Sequence, residues 1–314
     1  MKSFRVLAAA GLSMFCTFSG LAVAQLPPGI TTEMINMEVP QEGAPHGKAG
    51  PYAVTNELAF GNEGLRVFRP ANLDSFPKKD KLPVVIWGNG GCAINVGRHA
   101  GFVETVASHG FLVITTNGPT PPPPAAGAPA ATQPGGAAPP RPRNATAADQ
   151  KSGIDWAEAE NVREGSPLKG KIDLAHVALA GQSCGGRLAV ELGGDPRVKT
   201  VLVLSSGVTG DQLSLVDKLH GPALILNGHE RDFMFDTSKG TYDAISKVPA
   251  FYGARHGGGH STTIYHPGGG QFANIATDWL MWQFKGSKTA RKTFVGRKCG
   301  LCTDPNWDVA SKRL

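Results

Sequence analysis

The clearest chemical signal in the sequence is a serine at the centre of a Gly-x-Ser-x-Gly pentapeptide. Ser183 lies between Gly181 and Gly185, directly after an apolar run and directly before residues typical of a helix. A serine hydroxyl is a weak nucleophile unless a sharp turn holds it towards a base, and side chains at the two glycine positions would clash in such a turn. Cys184 fits the pattern less well, because Gln182 stands where its own first glycine should be. The pattern therefore predicts that Ser183 is an activated nucleophile.

Two further apolar runs end in residues that suit the same chemistry. Run 83–87 ends in the glycine-rich turn 88–92, whose backbone N–H groups could bind an anionic oxygen. The spacing in this turn is neither that of a dinucleotide fold nor that of a P-loop. Three carboxylates follow the run 223–226, namely Asp232, Glu230 and Asp236. Each carboxylate could orient an imidazole and stabilise its cationic form.

The order of apolar runs and candidate helices predicts the fold class. The runs are 65–68, 83–87, 111–115, 177–180, 201–204, 223–226 and 249–252. The candidate helices are 98–109, 146–160, 185–193, 237–247 and 271–285. Continuous runs are typical of strands buried on both faces, as in a parallel sheet covered by helices. The sequence therefore predicts an α/β protein with a doubly wound, mostly parallel sheet flanked by helices, in one domain over residues 25–314.

Composition narrows the function classes. The chain has 314 residues, 41% of them hydrophobic, which is enough to bury a core and excludes a disordered, coiled-coil or collagen-like protein. The formal net charge of +6 is spread along the chain. So small a surplus does not indicate a nucleic-acid partner.

Two segments stand apart from this pattern. Residues 1–24 combine Lys2 and Arg5, an apolar stretch and the small residues Ala22 and Ala24, as in a secretory signal peptide cleaved after Ala24. A mature chain without an apolar span, secreted or periplasmic, is therefore expected. Residues 118–143 are rich in Pro, Ala and Gly and have nothing with which to build a core, so a disordered insertion is expected there.

Taken together, these motifs resemble the α/β-hydrolase family, and more narrowly its secreted dienelactone-hydrolase-like, cutinase and polyester-hydrolase-like branch. The resemblance covers about residues 65–284 and rests on an oxyanion turn, a nucleophile, an acid and a histidine in the family's order. It implies the α/β-hydrolase fold, with Ser183 as nucleophile and Asp232 as acid. It also implies an oxyanion hole made by the backbone N–H groups of Asn89 and Cys184.

The resemblance leaves two candidates for the base. Nine histidines are present, and three of them follow the last predicted strand, namely His256, His260 and His266. The Gly-x-x-His pattern ending at His256 is similar to that of polyester hydrolases. Gly259, His260 and Thr263 are similar to a Gly-His-x-x-Thr pattern of related secreted hydrolases. We expect His260 to be the base, with His256 as the alternative.

Four cysteines would remain after cleavage of the leader. Under the resemblance, Cys92 lies in the oxyanion turn and Cys184 beside the nucleophile, which implies a Cys92–Cys184 disulfide. Cys299 and Cys302 form a Cys-x-x-Cys tail, and no second such pair or nearby histidine supports zinc. A local Cys299–Cys302 disulfide is therefore expected.

The implied function is a secreted serine hydrolase that cleaves carboxylic esters through an acyl-enzyme, with no metal and no organic cofactor. Its partner would be a small-molecule or polymeric ester. The alternative is a noncatalytic envelope or surface binding protein on a hydrolase scaffold.

Overall fold

A computed structural model describes residues 44–76, 80–118, 143–261 and 263–314. Within these ranges the chain forms one nine-stranded sheet. The strands are β1 (Val54–Ala59), β2 (Asn62–Pro70), β3 (Leu82–Gly88), β4 (Leu112–Thr116), β5 (Ile172–Gln182), β6 (Val198–Leu204), β7 (Ala223–Gly228), β8 (Ala250–Arg255) and β9 (Trp307–Lys312). The predicted leader 1–24 and nearly all of the predicted insertion 118–143 lie outside the described residues.

The sheet is mostly parallel. Its strands are hydrogen-bonded in the order β1-β2-β4-β3-β5-β6-β7-β8-β9. Strand β2 is antiparallel to β1 and β4, and β9 is antiparallel to β8, whereas every pair between β4 and β8 is parallel. This confirms the predicted α/β class. Because parallel strands end at the same edge, the residues that follow β3, β5, β7 and β8 are brought together there.

Six α-helices lie in the described ranges, and they flank this sheet. They are α1 (Ala100–Ser108), α2 (Ala147–Val162), α3 (Cys184–Leu192), α4 (Phe235–Ala244), α5 (Gly270–Lys285) and α6 (Lys288–Arg291). A capping box starts α2, because the Thr146 side chain accepts the Asp149 N–H while the Asp149 carboxylate accepts the Thr146 N–H. None of the helices in these ranges has the length and apolar character that crossing a membrane requires.

Successive residues of the central strands pack on opposite faces of the sheet. Val84 and Ile86 of β3 belong to one core cluster, which includes Ile154 of α2. Val85 and Trp87 belong to a second cluster with α1. All seven residues of β3 are buried. A strand covered on both faces needs apolar side chains at every position, which explains the continuous runs in the sequence.

Candidate active site

Ser183 occupies a strained turn between β5 and α3. Its φ of 53° and ψ of −124° lie outside the regions that most side chains adopt. The two glycines around it allow α3 to lie directly against the sheet. A Cβ at Gly181 would meet the Gly185 carbonyl carbon at 2.4 Å, and a Cβ at Gly185 would meet the Gly88 carbonyl at 2.1 Å. The turn therefore holds the Ser183 side chain at the carboxyl end of β5.

Replacing Gly185 by alanine should destabilise the protein strongly. The new Cβ would contact backbone atoms, including the Asn89 nitrogen at 2.7 Å, and these atoms move only if α3 separates from β3. We expect the free energy of unfolding to fall by about 3 kcal/mol, as in severe overpacking. Denaturation in urea would measure this change.

Gly240→Ala is the matched control for this substitution. Gly240 lies inside α4, is exposed, and has open space where its Cβ would lie. Alanine is favoured over glycine in a helix by about 1 kcal/mol, so this variant should be at least as stable as the wild type. Equal stability of the two alanine variants would contradict the close approach of Gly185 to β3.

A continuous hydrogen-bonded chain links Asp232, His260 and Ser183. His260 Nε2 lies 2.8 Å from Ser183 Oγ, and His260 Nδ1 lies 2.9 Å from Asp232 Oδ1. A carboxylate can only accept, so Nδ1 donates to Asp232 and Nε2 accepts the hydroxyl proton of Ser183. The side chain of Asp232 is 0% exposed and that of His260 is 13% exposed. The geometry therefore places a proton acceptor on the serine and a buried carboxylate behind it.

The carboxylate of Asp232 is held by its own loop after β7. Asp232 Oδ1 also accepts the Met234 N–H at 2.9 Å, and Oδ2 accepts the Gly228 N–H at 3.1 Å. The Glu230 carboxylate instead contacts His229. Asp236 is exposed on α4. Of the three carboxylates that the sequence offered, the structure brings Asp232 to the imidazole of His260.

The Phe233 ring packs against one face of the His260 ring. The two ring centroids lie 3.9 Å apart, with the planes inclined at 30°. Phe233 follows Asp232 directly, so one loop both hydrogen-bonds and stacks on the same imidazole. This contact limits rotation of the imidazole, which keeps Nε2 directed at Ser183.

The alternative base, His256, contacts a different group. His256 Nε2 lies 3.0 Å from Asp308 Oδ1 on β9. His266 lies beyond His260, immediately before a short 3₁₀ helix, and burial lowers its pKa below the ordinary value. The structure therefore brings His260 to Ser183 and places His256 with Asp308.

Two backbone N–H groups, one after β3 and one at the start of α3, have no acceptor among the residues that the structure describes. Asn89 follows β3 and Cys184 is the first residue of α3, and neither N–H donates to another group within the described residues. The Asn89 side chain is fixed, because it accepts the Trp87 indole N–H at 2.9 Å and donates to the Ala93 carbonyl at 2.9 Å. Unpaired N–H groups at a helix start favour binding of a negatively charged oxygen.

A disulfide ties the segments that carry these two N–H groups. Cys92 and Cys184 are bonded, with their Cα atoms 5.1 Å apart. Cys92 lies two residues beyond Gly90 in the glycine-rich turn, and Cys184 directly follows Ser183. The second pair, Cys299–Cys302, is also bonded and closes a local loop before β9. Both pairings agree with those expected from the sequence.

Gln182 links the serine turn to the His260 loop, a role that sequence reasoning missed. Its Nε2 donates to the His260 carbonyl at 3.3 Å, and its Oε1 lies 3.4 Å from His99 Nε2. Burial lowers the pKa of His99 to about 4, so its ring is neutral and can donate one N–H to Gln182. A Cβ at Gly90 would lie 2.1 Å from Gln182 Oε1, so this glycine makes room for the amide.

Neither a protein-family model nor a curated protein matches the sequence significantly. The case for a function therefore depends on the geometry of the site.

Proposed function

We propose that the protein is a serine hydrolase of the α/β-hydrolase fold that cleaves carboxylic esters. The observation that carries the proposal is the hydrogen-bonded chain Asp232–His260–Ser183. The order of the strands supports the fold, since the serine follows β5, the acid follows β7 and the histidine follows β8. A serine, an acid and a histidine in this chain order are typical of that fold.

The reaction begins with attack of Ser183 Oγ on the ester carbonyl carbon, while His260 Nε2 takes the hydroxyl proton. Asp232 keeps the imidazole oriented and stabilises its cationic form. The N–H groups of Asn89 and Cys184 donate to the oxyanion that forms. His260 then returns the proton to the leaving alcohol, and an acyl-Ser183 intermediate remains.

Water completes the cycle by the same route. His260 accepts a proton from water, the hydroxide oxygen attacks the acyl carbon, and the bond to Ser183 Oγ breaks as that oxygen regains its proton. Each group needed for both halves of the reaction is a side chain or backbone N–H of this chain. The choice of carboxylic esters as substrates comes from the resemblance to secreted ester hydrolases.

Two features support action outside the reducing cytosol. Both cysteine pairs lie at disulfide distance, and disulfides persist in secreted and periplasmic proteins. The sequence of residues 1–24 adds the pattern of an export signal. We therefore place the proposed activity in a secreted or periplasmic compartment.

Labelling with a fluorophosphonate tests the proposal directly. The purified protein should incorporate one probe per chain, and mass spectrometry of peptides should locate it on Ser183. The matched Ser183→Ala variant should remain unlabelled. If folded wild-type protein took up no probe, the noncatalytic binding protein would become the better interpretation. A series of p-nitrophenyl esters of increasing acyl chain length, assayed with protein that takes up the probe, would then define the acyl preference.

A further inference from the structure

Three side chains with metal-binding atoms meet on the sheet edge beside the Ser183 site. His229 follows β7 and His256 follows β8, and the pairing of Gly228 with Arg255 sets these two histidines side by side. Asp308 lies on the neighbouring strand β9. The positions are therefore fixed by the register of three adjacent strands.

The ligand atoms of this cluster are already close. His229 Nε2 lies 2.9 Å from Asp308 Oδ2, and His256 Nε2 lies 3.0 Å from Asp308 Oδ1. One ligand atom from each of the three residues lies within 4.8 Å of the others. The side chains are 25%, 46% and 60% exposed for His229, His256 and Asp308, so an ion can reach them from solvent.

Two carboxylates flank the His229 ring, and they favour positive charge there. Its Nδ1 contacts the Glu230 carboxylate and its Nε2 contacts the Asp308 carboxylate. The ring can satisfy both carboxylates in two ways, either as an imidazolium that donates two N–H groups or as a neutral ring whose Nε2 binds a metal ion. With a metal ion on Nε2, the Nδ1–H donates to Glu230 and Nε2 gives its lone pair to the metal. A carboxylate behind a ligating histidine is a common feature of metal sites.

We propose that His229, His256 and Asp308 bind a divalent transition metal ion, for which Zn²⁺ is the best match. Two imidazoles and a carboxylate are ligands that Zn²⁺ prefers, and water can occupy the fourth position. Together with Glu230, the carboxylates contribute a charge of −2, which a divalent ion neutralises.

The geometry needs only a small adjustment. Zn–N and Zn–O bonds of about 2.1 Å in a tetrahedral site separate ligand atoms by about 3.4 Å. The two Nε2 atoms lie 2.9 and 3.0 Å from different oxygens of Asp308, and one ligand atom from each residue lies within 4.8 Å of the others, so side-chain rotations bring the set to this separation. The side chains of His256 and Asp308 are 46% and 60% exposed, which leaves them room to rotate.

A bound ion would connect the loops that carry Asp232 and His260 to the C-terminal strand. The Asp232 N–H donates to the His229 carbonyl at 2.8 Å, and Arg231 forms a bridge with Gly259. The ion should therefore stabilise the folded protein. This consequence does not depend on the proposed hydrolase activity.

Zn²⁺ titration of untagged, chelator-treated protein tests the site. Calorimetry should show one ion per chain with micromolar affinity, and Zn²⁺ at a hundredfold excess over Kd should raise the Tm by about 5 °C or more. Asp308→Asn and His256→Ala should each weaken binding at least about tenfold.

Two variants serve as controls for this experiment. His176→Ala removes a half-exposed histidine that pairs with the single carboxylate of Asp173 at 2.7 Å, and it should bind Zn²⁺ as the wild type does. His260→Ala should also retain binding, which separates this site from zinc held by His260 and Asp232. Binding that is lost in His260→Ala and kept in Asp308→Asn would overturn the proposal.

The wild-type protein gives a second measurement that needs no variant. Co²⁺ held by two imidazoles and a carboxylate in a four-coordinate site should give intense visible bands, and one equivalent of Zn²⁺ should remove them. Absence of both these bands and Zn²⁺ binding in wild-type protein would overturn the proposal.

Discussion

Replacing His260 by alanine should lower kcat for ester hydrolysis by about 10⁴-fold or more, with a much smaller change in KM. Ser183 loses the acceptor that lies 2.8 Å from its oxygen, so its hydroxyl must attack without general-base assistance. The N–H groups of Asn89 and Cys184 remain in place in this variant, so the proposed binding of the ester carbonyl should persist. Steady-state kinetics on a p-nitrophenyl ester, with the rate of fluorophosphonate labelling as a second readout, would measure the loss.

His256→Ala provides the matched comparison, measured in the presence of a chelator. Its imidazole contacts Asp308 on β9, whereas Ser183 contacts His260, so kcat should stay close to the wild-type value. In Asp232→Asn, kcat should fall by about 10⁴-fold, close to the fall in His260→Ala. The variant removes the acceptor that fixes the imidazole tautomer. Activity that depends on His256 and tolerates loss of His260 would contradict the proposed base.

The buried strands could be predicted from the sequence because each is covered on both faces. Strands β3, β5, β6 and β7 all fall on predicted apolar runs. The two outermost strands were missed for the converse reason. Three of the six residues of β1 are exposed, and β9 has one buried residue, so neither shows an apolar run. Pairing with a neighbouring strand, which the local sequence does not reveal, determines both.

The choice between His256 and His260 shows how a missed edge strand limits prediction of a site. Both histidines follow β8 and both stand in glycine-rich sequence, so local pattern favours neither strongly. In the structure the His256 N–H donates to the Asn306 carbonyl, immediately before β9, and its ring contacts Asp308. The chain then turns at Gly257, whose φ is 66°, and carries His260 back to Ser183. Without β9 these contacts could not be anticipated.

The cluster of His229, His256 and Asp308 was not predicted either, because strand β9 was missed. The sequence predicted no metal site, because the three residues are separated by 27 and 52 positions and match no ligand spacing. Ser183 and Asp232, by contrast, each follow a strand that the sequence marks clearly. Residues at the ends of buried strands are therefore predictable, whereas contacts across an edge strand require the register of the sheet.

Removing the Cys92–Cys184 disulfide should lower the free energy of unfolding by between about 2 and 5 kcal/mol. The bond joins residues 92 positions apart, and in the chain-entropy model a loop of this size contributes about 4.7 kcal/mol. The substitution should be to alanine at both positions, since the two cysteines pack with the apolar residues Ile94, Ala145 and Leu188. Urea denaturation without reductant, compared with the wild type, would measure the difference.

Activity should respond to the same double variant for a separate reason. The disulfide connects the turn that carries the Asn89 N–H to the helix start that carries the Cys184 N–H, and both donors belong to the backbone that the variant retains. Loss of one such donor costs about 10²- to 10³-fold in kcat, so a loosened pair should lower kcat by up to about 10²-fold at little-changed KM.

Removal of the second disulfide is the control for the general effect of losing a cross-link. Cys299 and Cys302 are three positions apart and lie near β9, so the chain-entropy model assigns this bond only about 1.6 kcal/mol. Alanine at both positions should therefore destabilise the protein less and leave kcat near the wild-type value. If both double variants lost stability and activity equally, the disulfide beside Ser183 would have no particular role in holding the two N–H donors together. The expected result is a larger fall in kcat for Cys92→Ala/Cys184→Ala than for the other double variant, measured well below the unfolding midpoint. It would show that the Cys92–Cys184 bond supports the proposed oxyanion site.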